Sequence, residues 1–82
     1  MIIIRQDDKH LYVDGHAGFD ELGKDIVCSA VSILVYTAAH YGWMESEPGH
    51  AVVRTTPEAK EFAMTGFRLL AEHYPDNVRL EE

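Results

Sequence analysis

The chain predicts an α+β fold, a small, mostly antiparallel sheet with two helices packed on one face, in the order ββα(β)βαβ. Three observations lead there. Short β-branched or alternating runs open and close the chain, at Ile2–Arg5 and Val78–Leu80. Two longer stretches carry apolar residues at helical spacing behind the capping residues Asp25 and Thr56. The length of 82 residues allows one domain, residues 1–82, and no linker or repeat divides it.

The elements follow in order. Ile2–Arg5 reads as a strand, Gln6-Asp7-Asp8-Lys9 as a polar turn, and Leu11-Tyr12-Val13 as the second arm of a hairpin ending at Gly15. Gly15 to Lys24 has three glycines, no period, and reads as a loop. Asp25 then caps a helix from Ile26 to about Tyr41, with Val27, Ala30, Val31, Leu34, Val35 and Ala38 as its buried stripe and Gly42 as its stop. Trp43–Glu45 predicts a very short strand and Glu47-Pro48-Gly49 a turn. His50–Arg54 alternates as a strand. Thr56-Pro57-Glu58 starts a second helix, since threonine caps, proline suits the first position and glutamate favours the positive end. Ala59, Phe62, Ala63, Phe67, Leu70, Ala71 and Tyr74 form its apolar stripe, and Pro75-Asp76-Asn77 breaks it before the last strand.

Composition narrows the function. A chain this short buries only roughly 60% of its unfolded surface, so association with a second copy would help it. The net charge of -7 leaves no general phosphate-binding footprint and disfavours direct nucleic-acid binding. It suits a basic protein or peptide partner better. The single cysteine cannot form an internal disulfide. The apolar start Met1-Ile2-Ile3-Ile4 is too short for a signal peptide, and no run approaches the roughly 20 residues of a membrane span. A reducing cytoplasm is the expected compartment, with no membrane partner. His10, His16, His40, His50 and His73 show no metal-ligand spacing with the one cysteine, so no metal and no cofactor is expected. Asp20 and Glu21 make the glycine loop a poor phosphate cradle.

The chemistry concentrates in His16 and Cys28, twelve residues apart. With Asp25 as cap, Cys28 is the third residue of the helix, near its unpaired N–H groups and positive end, and both favour thiolate over thiol. A histidine at the end of a strand is held firmly while its ring stays accessible. It can take the thiol proton and return it to a leaving amine. Backbone N–H groups at the helix start are the expected oxyanion donors. Ser32, one turn after Cys28, either hydrogen-bonds near the site or bonds back to the Cys28 carbonyl. A free cysteine in an apolar helix is, however, more often packing than chemistry.

The stretch Gly15-His16-Ala17-Gly18 to Gly23-Lys24-Asp25-Ile26-Val27-Cys28-Ser29-Ala30-Val31-Ser32 resembles the signature of the ribosomal-processing cysteine protease family, Prp. Ser29 is one conservative departure. The tail from Glu72 to Glu82 is also similar to the family's C-terminus. The resemblance implies a dimeric endopeptidase that removes a short N-terminal extension from a large-subunit ribosomal protein. Carried over by position, Cys28 is the nucleophile, His16 the base, and Asp25 and Ser32 are site-associated. Gly15, Gly18, Phe19 and Gly23 fall in a loop thought to cover the substrate. The middle, from Gly42 to Gly49, is expected to be shortened relative to the family, in the sheet or at the dimer surface.

Other readings stay open: the same protease chemistry on a phage capsid or scaffold protein, a non-catalytic ribosome-associated binding module, or a small domain in which Cys28 is only core. Trp43 is expected in the core or at a dimer edge, and Phe19 on the substrate or on its own closed loop.

Overall fold

Ile2–Gln6 forms β1 and His10–Gly15 forms β2, paired antiparallel with Ile4 opposite Val13. Between them Asp7 organises the turn, accepting from the backbone N–H groups of Lys9 and His10 and from the Tyr12 hydroxyl. Ile26–His40 is α1, Trp43–Glu47 is β3, His50–Arg54 is β4, Pro57–His73 is α2 and Val78–Glu81 is β5. The computed structural model describes residues 1–21 and 24–81.

The five strands form one sheet in the order β3-β4-β2-β1-β5. All neighbours are antiparallel except β1 and β5. Helix α2 carries the chain across the sheet, so β5 emerges beside β1 in the same direction. The register puts Ile2, Ile4, Leu11, Val13, Val53 and Val78 on one face, and all six are buried. The two helices cover that face with Val27, Val31, Val35 and Ala38 from α1, and Ala63, Met64 and Phe67 from α2. Each such large side chain contributes about 1.5–3 kcal/mol by leaving water. The other face, with Arg5, Tyr12, Asp14 and His50, carries no helix.

The caps form as the sequence predicts. The Thr56 hydroxyl accepts from the Ala59 N–H at 3.1 Å, and Pro57 opens α2. Three expectations are corrected. Phe62 is 68% exposed and Met64 takes the inward place. Five residues before Phe67 lies about 140° away around a helix, whereas three residues before lies about 60° away. Of the two places expected for Trp43, the core is ruled out: it is half-exposed, because β3 is an edge strand and Trp43, opposite Arg54, points to the uncovered face. Finally, β3 runs five residues in unbroken register with β4 rather than three, so the sheet has no gap at the middle of the chain.

Candidate active site

The site is built where β2, the following loop and α1 meet. Gly15 ends β2 with φ +98°, and a Cβ there would lie 2.2 Å from the Met1 carbonyl oxygen. Its N–H donates to the Gly49 carbonyl at 2.8 Å, tying the end of β2 to the β3–β4 turn. His16 is exposed, and Ala17 is buried with its N–H donating to the Cys28 sulfur at 3.4 Å. The Ala17 carbonyl accepts from Asn77 Nδ2 at 2.9 Å.

Cys28 is the third residue of α1 and half-buried, because Asp25 caps the helix. Asp25 does more than cap. One carboxylate oxygen accepts from the N–H groups of Val27 and Cys28, at 3.0 and 2.9 Å. The other accepts from Phe19 and Asp20, at 2.9 and 3.3 Å. Burial works to raise its pKa, but the N–H groups of Cys28, Phe19, Asp20 and Val27 outweigh it and hold the carboxyl below its ordinary range. One charge thus fixes both the helix start and the loop that precedes it.

His16 and Cys28 line the same open cavity of about 310 Å³. Ser32 and Tyr36 of α1 form one wall, and Met44 and Ser46 of β3 the other. No hydrogen bond joins the His16 ring to Cys28 among the described residues. The ring instead lies over Gly49, whose missing Cβ would stand 3.2 Å from Nε2. Catalytic hydrogen bonds often tighten only with substrate present, so a shared cavity is the relevant geometry.

The remaining predicted residues divide. Ser32 faces the cavity and is exposed, and its bond to the Cys28 carbonyl is not among the hydrogen bonds of the described residues. Gly18 turns with φ +67° at the surface. The Phe19 ring meets Tyr74 edge-to-face at 5.5 Å, so the loop docks on the end of α2. Gly23 lies outside the described residues. The expected oxyanion donors need revision, since Asp25 occupies the N–H groups of Val27 and Cys28. The N–H nearest the sulfur is that of Ala17.

Ala17, Asn77 and Gly49 are the parts that sequence reading missed. A main-chain amide carries no sequence signal, and Asn77 reads only as a turn residue until its distance from Ala17 is known. Asp14 and His50, opposite each other on β2 and β4, are joined by a hydrogen bond at His50 Nδ1 just beneath. That bond, more than the Arg5 guanidinium, lowers the Asp14 pKa against the effect of burial. No group of three or more His, Cys, Asp or Glu side chains able to hold a metal lies among the described residues. No described helix is long and apolar enough to cross a membrane.

A family model described as cysteine protease Prp matches residues 2–79. No curated protein matches the sequence at a significant level. Among solved structures, the essential ribosomal processing protease Prp from S. aureus in complex with a covalently linked product peptide superposes with a TM-score of 0.80 at 21% identity. The match covers 98% of this chain and 95% of that one. The same protease with a substrate peptide gives 0.73 at 20% identity, over the same shares. SMU.848 from Streptococcus mutans gives 0.68 at 24% identity, over 98% and 91%.

Proposed function

This chain belongs to the cysteine protease Prp family, and from that premise we propose that it is an endopeptidase with Cys28 as nucleophile and His16 as base. It removes a short N-terminal extension from a large-subunit ribosomal protein. The observation that carries the reading is the meeting of Cys28 and His16 on one open cavity, with the sulfur at the first turn of α1.

In this mechanism His16 takes the thiol proton as Sγ attacks the scissile carbonyl carbon. The carbonyl π electrons move to oxygen, and the Ala17 N–H, already aimed at the sulfur, stabilises that oxyanion. The C–N bond then breaks, and His16 returns its proton to the departing amine. Water, deprotonated by His16, attacks the thioester. The C–S bond breaks, and the sulfur recovers the proton. Asp25 and Ser32 do not take part in proton transfer. Asp25 sets the position of the helix start, and Ser32 offers a hydroxyl to the peptide.

Two further features belong to this reading. The substrate is a peptide with basic character, which suits a chain of net charge -7. The working unit is a homodimer in the cytoplasm, and Ile33, Phe62 and Leu69 on the helices, with Tyr41 at the end of α1, are exposed apolar surface for a second copy to cover.

The test is mass spectrometry of a peptide spanning such an extension and the mature start, incubated with the wild type and with Cys28→Ala. One cut, absent from the variant, supports the assignment. An uncut peptide and a Cys28 that iodoacetamide does not label would remove it.

A further inference from the structure

The hydrogen-bond phase of the sheet leaves one set of main-chain groups unused beside the cavity. The Gly15 N–H reaches the Gly49 carbonyl, which fixes which residues of β4 bond toward β2. By the alternation of an antiparallel ladder, Glu45 then pairs with Val52 and Glu47 with His50 through hydrogen bonds, while the N–H and C=O groups of Met44 and Ser46 point off the sheet. β3 is an edge strand, and no hydrogen bond outside it engages those four groups among the described residues. The side chains of the same two residues line the cavity that holds Cys28 and His16.

Edges are usually blunted by lysine, proline or a bulge. β3 has none of these, and keeps register with β4 along all five residues. Its outward charges are instead acidic. Glu45 and Glu47 are exposed, lie on the face opposite Met44 and Ser46, and make no ion pair among the described residues. The other edge, β5, carries Arg79 and borders no part of this cavity.

We propose that a peptide substrate binds by adding to β3 as a sixth strand, with its main chain hydrogen-bonded to Met44 and Ser46. The occupant is an extended segment with alternating character. Residues on one side enter the cavity toward Cys28, and residues on the other, next to Glu45 and Glu47, are lysine or arginine. Main-chain pairing supplies affinity independent of sequence, and the alternate side chains supply the choice. This rests on the protease reading above and names how that site takes its substrate.

Ser46→Pro deletes the outward N–H while sparing the ladder to β4, a position where an edge strand tolerates proline. Ser46→Ala keeps the N–H. On the peptide described above, the proline variant should lose at least tenfold more kcat/KM than the alanine variant. Equal losses in the two would overturn strand addition and leave the protease reading standing. A wild type that cuts nothing and whose Cys28 iodoacetamide does not label removes the protease reading, and this proposal falls with it. Should Ser46→Pro not fold, amide hydrogen exchange on Cys28→Ala decides the matter. The Met44 and Ser46 amides should gain protection when the peptide binds, and unchanged exchange with bound peptide would refute the pairing.

Discussion

Asn77 and Ala17 stand sixty residues apart, and a hydrogen bond of 2.9 Å from the Asn77 side chain to the Ala17 carbonyl anchors the residue whose N–H donates to the Cys28 sulfur. Asn77 is itself held, because its carbonyl accepts from the Ile2 N–H at 2.8 Å. The C-terminal segment therefore orients a donor at the Cys28 sulfur. Asn77→Ala should lower kcat about fivefold to tenfold, the worth of one net hydrogen bond of ~1 kcal/mol or slightly more. KM should move less than kcat, since in the proposed mechanism the bond acts on the oxyanion donor. An equal rise in KM with kcat unchanged would show that Asn77 serves binding alone.

Gly49 supports His16 from below. Its φ of +77° costs a residue with a Cβ about 1–2 kcal/mol, and that Cβ would stand 3.2 Å from His16 Nε2. Gly49→Ala should lower Tm by roughly 5–10 °C in a domain of this size. It should also slow peptide cleavage by displacing the ring, beyond what partial unfolding explains at a temperature well below Tm. A variant with lowered Tm and full kcat would show that the ring adjusts freely.

Most of the fold was legible because each element carries local signals. Asp25 and Thr56 mark helix starts, Gly42 and Pro75 follow helix ends, and period-two runs mark strands. Cys28 and His16 were legible for the same reason, since a cap and a strand end place them. What was not legible is set by pairing between distant segments. Ser46-Glu47 has no β propensity of its own and becomes strand only through register with β4. Phe62 looks like core by composition, and only the rotation set by Phe67 turns it outward. Asp25 was readable as a cap, but its second pair of donors comes from a loop that no period describes.

That double duty gives Asp25 a pH signature. Its folded pKa lies below the ordinary value of 3.8, so its stabilising effect is full above that value and is lost as pH falls through the folded pKa. Asp25→Asn keeps the shape but turns a donor toward N–H groups that need an acceptor. Its Tm deficit against wild type should be constant from about pH 5 to 8 and shrink progressively below pH 4. A deficit that stays constant down to pH 2 would mean that the charge contributes nothing and that geometry alone is at stake.

Phe67 tests how thin the core is. It is fully buried, at 0% exposure, on the face of α2 that meets the sheet. Phe67→Ala removes its transfer free energy and leaves a cavity, together about 3–5 kcal/mol. A domain of this length has only about 4–12 kcal/mol in total. Urea denaturation should therefore show a midpoint lowered by at least about a quarter of its wild-type value, and at the limit a chain already unfolded without urea. Because α2 ends at its cap Tyr74, on which Phe19 rests, and leads into Asn77, peptide cleavage should disappear together with the near-UV signal of the folded state. A small midpoint shift would show that Met64, Ile4 and Leu11 close the gap, and that the core repacks more readily than its burial implies.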